Sequence, residues 1–243
     1  MSDRVAAVLL AGGSGIRFGA RISKVYAPLG GRPLLAHSLQ ALGDHPDVDD
    51  VVVVIRDGDG PDYGEVAVLA PTAKVRAVVT GGASRQASEW AGIAAVRDLT
   101  PAVGLVMLHD AARPFLSRRL ISDLVGTARG TRAGALPAQP LDGDLADAGG
   151  QRVRTADLVA VQTPQVFPLD ALLSVYPRAM ADGFDGVDTA QTMQAYSDIE
   201  VHCTAGGPRN LKVTHAVDLA LAESLLPLWS AGGWIDEPAD SGA

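Results

Sequence analysis

The sequence predicts an α/β protein built on a doubly wound, mostly parallel sheet, with a projecting β-arm. Three observations lead there. Short apolar runs rich in β-branched residues alternate with stretches of helical periodicity. The first run, Val5–Leu10, is unbroken, as expected of a strand covered on both faces. After Ala138 the pattern gives way to residues 139–161, rich in Asp, Gly and Arg, which read as a long loop or a two-stranded arm.

The apolar runs Val51–Ile55, Val75–Val79, Gly104–Leu108 and Ala133–Ala138 supply the remaining strands of the main sheet. Between them, helical spacing of apolar residues predicts helices near Leu34–Leu42, Ser84–Arg97 and Ser117–Arg129. Beyond the arm come helices near Leu169–Ala181 and Thr189–Tyr196, a strand Ile199–Thr204, and a helix His215–Leu226 with Thr214 as its N-cap. Residues 1–226 are read as one domain. Residues 227–243, with Pro, Gly, Asp, Ser and two tryptophans, Trp229 and Trp234, are read as a partly disordered tail.

Composition narrows the class. A 243-residue chain that is 47% hydrophobic has an ample core. No apolar run approaches a membrane span, and Val5–Leu10 is too short for a signal peptide. One cysteine, Cys203, leaves no internal disulfide, so the fold does not require an oxidising compartment. A formal charge of −8 argues against non-specific nucleic-acid binding. These features lead to a cytoplasmic enzyme, in which clustered basic residues serve a small anion.

Three polar clusters follow predicted strands, and in such sheets ligands bind outside the carboxyl ends of the strands. The first runs from Ala11 through Gly12, Gly13, Ser14, Gly15, Ile16 and Arg17 to Phe18 and Gly19, with Lys24 beyond. Glycines admit close approach of backbone N–H groups to phosphate oxygens, and two cations neutralise the charge that builds on an attacked phosphoryl group. A plain glycine turn with two solvated cations is the alternative. The dinucleotide fingerprint fails because Phe18 stands where its third glycine is needed, and no Walker pattern occurs.

The second cluster, Gly81-Gly82-Ala83-Ser84-Arg85-Gln86-Ala87-Ser88, is a strand-to-helix turn. Its glycines can meet a flat base, and Ser84 or Ser88 can hydrogen-bond a pyrimidine; ordinary helix capping is the competing role. The third is His109-Asp110-Ala111-Ala112-Arg113-Pro114. Asp110 can hold Mg²⁺ or cap a helix. Arg113 can pair with an acceptor phosphate or with Asp110, and His109 reads as a structural hydrogen-bonding residue. Lys212, in Asn210-Leu211-Lys212-Val213-Thr214, would in isolation be a surface lysine. No serine-nucleophile elbow and no credible nucleophilic Cys/His pair is present, which argues against covalent catalysis of those kinds.

Taken together, LLAGGSGIRFG (9–19), Lys24 with Tyr26, GGASRQAS (81–88), HDAARP (109–114), VQTPQVF (161–167) and NLKVT (210–214) resemble the 2-C-methyl-D-erythritol 4-phosphate cytidylyltransferase family. They also resemble the ribitol-5-phosphate cytidylyltransferases. The resemblance runs over roughly residues 4 to 226. It implies a Rossmann-like nucleotidyltransferase fold and a reaction in which CTP and an alcohol phosphate give a CDP-alcohol and pyrophosphate with Mg²⁺. By that pattern Arg17, Lys24 and Lys212 are catalytic. Leu10, Ala11, Gly12, Gly13, Gly82, Ala83, Ser88, Asp110 and Ala111 bind the nucleotide, with Asp110 on the metal. Arg113, Thr163, Asp144 and Arg154 face the acceptor. The arm pairs two subunits into a homodimer.

The departures from the family lie on the acceptor side. Ser23 stands where a proline usually precedes the loop lysine. The arm carries Gly143-Asp144-Leu145-Ala146, in which an acid replaces a threonine. Arg154 stands one residue before the position, here Thr155, where an arginine is usual; in an extended arm that shift turns the side chain to the other face. The family's Thr-Asp-Asp/Glu-Ala-Ser stretch is Val187-Asp188-Thr189-Ala190-Gln191. An acid beside a phosphate dianion is repulsive, which leads to an acceptor different from methylerythritol phosphate, such as another alditol phosphate or a phosphonate. A sugar-1-phosphate nucleotidyltransferase using UTP and a non-catalytic nucleotide sensor are the competing functions.

Overall fold

The computed structural model describes residues 4–13, 23–99, 103–141, 145–154 and 158–230. In chain order the elements are β1 (Arg4–Leu10), β2 (Pro28–Leu29), β3 (Arg32–Pro33), α1 (Leu34–Gly43), β4 (Asp50–Ile55), α2 (Gly60–Leu69), β5 (Val75–Thr80), α3 (Arg85–Leu99) and β6 (Val103–Asp110). There follow α4 (Arg118–Thr131), β7 (Gly134–Pro140), β8 (Leu145–Ala146), β9 (Arg152–Val153), β10 (Val159–Val161) and β11 (Gln165–Pro168). The last four are α5 (Leu169–Ala181), α6 (Thr189–Tyr196), β12 (Val201–Ala205) and α7 (Ala216–Ser230).

Eight strands form one sheet, in which β5, β4, β1 and β6 lie side by side and parallel. β11 joins β6 antiparallel, and β7 pairs with β11 and β10 antiparallel and with β12 parallel. The alternation along β1 explains the two layers around it. Val5, Ala7 and Leu9 pack with Leu35, Leu39 and Leu42 of α1 and with Ile121, Leu124 and Val125 of α4. Ala6 and Val8 pack on the other face with Ile93 and Val96 of α3 and Leu172, Val175 and Tyr176 of α5. Burial of both faces is why Val5–Leu10 has no polar member.

Within the arm region, β8 and β9 form a separate two-stranded antiparallel sheet, with Leu145 opposite Val153. β10, expected as part of the arm, instead joins the main sheet beside β7, and β11, which no sequence pattern indicated, lies between β6 and β7. Further elements also escaped the sequence patterns. One is the hairpin β2–β3, turned by Gly30 and Gly31 at φ 58° and 76°. Another is α2, whose two glycines, N-terminal proline and only two buried residues, Tyr63 and Val66, leave little periodic signal. The last strand begins two residues later than Ile199. The last helix continues through Pro227 to Ser230, where Trp229 packs 5.3 Å from the Phe115 ring. Thr214 does not cap that helix with its side chain. Instead Asp218, in the first turn, accepts both the Thr214 and His215 backbone N–H at 2.7 Å.

Candidate active site

The parallel register brings the ends of β1, β4, β5 and β6 to one edge: Leu10 lies opposite Val54 and Asp110, and Ile55 opposite Thr80. The loops that follow enclose a cavity of about 790 Å³. Its lining includes Leu10, Gly12, Gly13, Lys24, Gly82, Ala83, Ser88, Asp110 and Lys212. With Arg56 and Val187 also on its wall, six separate sequence segments meet at one opening.

Each segment is held by local bonds. The Ser88 hydroxyl accepts the Gly82 N–H at 3.1 Å and donates to the Ser84 carbonyl at 2.9 Å, closing the strand-to-helix turn. Ser84 does cap α3, accepting the Ala87 N–H at 3.2 Å. A side chain on Gly82 would put its Cβ 2.4 Å from the Ala87 Cβ, so the turn fits only glycine. Lys24 donates to the Val213 carbonyl at 2.9 Å, which fastens the flank of the first loop to the loop carrying Lys212. Ser23, in place of the family's proline, is buried and donates to the Gly13 carbonyl at 3.3 Å.

Asp110 is the electrostatic centre. Its Oδ1 accepts Arg85 Nη1 and its Oδ2 accepts Lys212 Nζ, both at 2.7 Å, while Arg113 Nε lies 4.0 Å from Oδ2. Burial alone would push this carboxyl up; Arg85, then Lys212 and Arg113, outweigh burial and hold it well below the usual carboxylate range. Arg85 bridges onward to Glu89, with Nε to Oε1 at 2.9 Å. Burial works against the Arg85 cation, but Asp110 and Glu89 overcome it and raise its pKa further.

The acceptor-side residues lie differently. Thr163 is buried; its hydroxyl accepts the Asp110 N–H at 3.1 Å and meets His109 Nδ1 at 3.3 Å. Arg113 is also buried and donates to the Asn210 carbonyl at 2.7 Å. Neither lines the cavity. Ala11 and Ala111 lie fully buried behind it, their N–H groups bonded to the carbonyls of Val54 and Leu10. Arg154 is exposed just past β9 on the arm, away from the cavity lining. Arg17 and Asp144 fall outside the described residues. His109 has no exposed surface, bonds the Arg113 carbonyl, and is pulled by burial to a pKa of about 4, so it supplies no base to the cavity.

Three polar cavity residues had no site role in the sequence reading. Arg56 follows β4 and is held by Asp59 at 2.9 Å; its position after a strand was a usable signal. Arg85 lay inside a motif but had no assigned role. Thr214 was read only as a cap.

A mostly parallel α/β sheet that brings glycines, two lysines and a buried aspartate to one cavity at its strand ends suits the binding of a nucleotide's phosphates, as in a nucleotidyltransferase. The model of the family "IspD: 2-C-methyl-D-erythritol 4-phosphate cytidylyltransferase" matches residues 5–227. The chain belongs to this family of cytidylyltransferases. The enzyme of that name from Thermobifida fusca is 38% identical over 235 residues, covering 92% of this chain and 93% of the relative. That from Symbiobacterium thermophilum is 36% identical over 227 residues, covering 91% and 92%. A bifunctional IspD/IspF enzyme of Rhodopseudomonas palustris is 38% identical over 229 residues, but this chain spans only 55% of its length. The crystal structure of the 2-C-methyl-D-erythritol 4-phosphate cytidylyltransferase of Thermus thermophilus superposes with a TM-score of 0.74 at 31% identity, covering 93% of this chain and all of that one. No helix among the described residues is long and apolar enough to cross a membrane.

Proposed function

We propose that this chain transfers a cytidylyl group from CTP to 2-C-methyl-D-erythritol 4-phosphate, releasing pyrophosphate. The observation that carries the reading is the convergence of Lys24, Lys212 and Asp110 on one cavity floored by Gly12, Gly13 and Gly82. The relatives at 36% and 38% identity bear that activity in their names. Those matches outweigh the departures in the arm, and no observation favours a different acceptor, another nucleotide, or a sensor role.

The phosphate of the acceptor is already ionised near neutral pH, so the reaction needs positioning and charge stabilisation rather than a strong base. The Gly81–Gly82 turn, closed by Ser88, and the first glycine loop present backbone to the base and phosphates. Lys24 and Lys212, with Arg17 on the first loop, neutralise charge on the triphosphate as the bond to pyrophosphate breaks. Among the described residues no three His, Cys, Asp or Glu side chains gather at one point. Asp110 nevertheless fits a Mg²⁺ ion held by one carboxylate and the substrate's own phosphates, because each of its oxygens takes one cation at 2.7 Å and retains acceptor capacity. The ion would screen phosphate charge and orient the triphosphate. Arg113, Thr163, Asp144 and Arg154 remain assigned to the acceptor side; Arg113 and Thr163 then act by holding the walls around it. The exposed apolar side chains Leu145, Val153, Leu158, Val159 and Val161 support pairing of two subunits through the arm, in a cytoplasmic homodimer.

Pyrophosphate release measured with each of the four ribonucleoside triphosphates and a panel of phosphorylated polyols and phosphonates tests the reading. Turnover is expected with CTP and methylerythritol phosphate. A clear preference for UTP, or for a different acceptor, would overturn it.

A further inference from the structure

Behind the cavity lies a carboxylate with no role in the reaction as described so far. Glu89 sits one helical turn beyond Arg85 on α3 and has no exposed surface. Three donors converge on it. Arg85 Nε meets Oε1 at 2.9 Å, the Thr189 hydroxyl meets Oε1 at 3.1 Å, and the Tyr176 hydroxyl meets Oε2 at 2.7 Å. Both of its oxygens are thus engaged as acceptors, which suits an ionised carboxylate. Burial raises the Glu89 pKa, and Arg85, Tyr176 and Thr189 work against that rise by holding the charged form.

The other edge of the Arg85 guanidinium donates to Asp110, which also receives Lys212, both at 2.7 Å. A planar cation is therefore gripped between two carboxylates, and only one of them borders the cavity. Tyr176 belongs to α5 and Thr189 opens α6, so the grip is anchored in the helical layer packed against α3.

We propose that Glu89 is a positioning residue for cytidylyl transfer: it fixes the plane of Arg85, and through it the places of Asp110 and Lys212 at the cavity. The inference rests on the functional reading above. Without the Glu89 charge, Arg85 turns its whole attraction on Asp110, and the pair loses its set orientation. Misplacement of groups that bind reacting phosphates costs turnover more than ground-state binding.

The test compares the full-length wild type with Glu89→Gln, which keeps shape and removes charge. Readouts are kcat and KM for CTP from pyrophosphate release, and solvent exchange of the Arg85 Nε–H by ¹⁵N NMR. Glu89→Gln is expected to lower kcat about tenfold or more, leave KM for CTP within about threefold, and speed Arg85 Nε–H exchange. Tyr176→Phe and Thr189→Val each remove one bond to Glu89 without altering a cavity residue, and they serve if Glu89→Gln does not fold. Each is expected to lower kcat by about two- to fivefold with faster Arg85 exchange. Wild-type kcat, or unchanged Arg85 exchange, in folded Glu89→Gln or in both hydroxyl variants would overturn the proposal and leave the function standing. A wild-type chain that releases no pyrophosphate from CTP would overturn both.

Discussion

Replacing Asp110 by asparagine keeps the shape of the side chain and removes the charge on which three cations depend. Arg85 and Lys212 each lose a 2.7 Å ion pair. The costs are unequal. Lys212 is 36% exposed and can turn to water, and Arg85 retains Glu89. Arg113 is the cation left worst off: it is buried, its Nε has no hydrogen-bond partner, and the carboxylate at 4.0 Å is its nearest compensation. Removing one member of a buried ionic cluster costs about 3–5 kcal/mol, and the partial relief of Arg85 and Lys212 places this case near the lower end. For a chain of this size about 3 kcal/mol corresponds to a fall of roughly 6–12 °C in the thermal midpoint. Calorimetry at neutral pH in EDTA without nucleotide isolates this term, since neither metal nor substrate then contributes. The sign is informative. A carboxylate kept only for a metal, with no internal partners, would stabilise the empty protein when neutralised. A thermal midpoint of Asp110→Asn equal to or above the wild type would therefore refute the electrostatic account of this site.

Other expectations follow from the same geometry. Lys212→Gln should lower kcat for pyrophosphate release by about 10²–10³, the usual cost of losing one donor to transition-state charge, and steady-state kinetics would read it. Gly82→Ala drives its new Cβ to 2.4 Å from the Ala87 Cβ, with Ala87 backbone atoms at 3.2 and 3.3 Å behind it. The turn must shift, so stability should drop by about 1–3 kcal/mol in urea denaturation and the KM for CTP should rise. His45 is buried, with Nδ1 accepting the Asp47 N–H at 3.1 Å and Nε2 bonding the Arg118 carbonyl at 3.0 Å, an arrangement only the neutral ring satisfies. Burial lowers its pKa, so below about pH 6.5 the unfolded chain takes up a proton that the folded chain refuses, and stability falls as pH decreases. His45→Gln should flatten that fall in denaturation midpoints measured between about pH 7.5 and 5.5. A slope equal to the wild type would show that His45 does not contribute.

What the sequence determined by itself is the part governed by local pattern and burial. Val5–Leu10 reads as a strand covered on both sides, because a run without polar residues has no face to give to water and its β-branched members favour the extended form. The alternation that follows required crossover helices, and crossovers require a parallel sheet whose loops meet at one edge. The glycines and Asp110 could therefore be nominated from their places at strand ends, and Lys24 from the glycine loop it follows; Lys212, just before the last helix, was nominated only by the resemblance of its NLKVT segment to the family. The tertiary structure decided what depends on distance between elements far apart in the chain. Whether Arg113 and Thr163 face a substrate or lock the wall is fixed by Asn210 and by the Asp110 N–H, 97 and 53 residues away. The Tyr176–Glu89–Arg85–Asp110 chain joins two helices and a strand across 87 and 25 residues, and of its members only Asp110 stands out in the sequence, while Tyr176, Glu89 and Arg85 read as ordinary helix or core residues. Periodicity records which face of an element is buried. It does not record which buried polar groups meet, and that pairing sets the charge, the rigidity and the shape of the site.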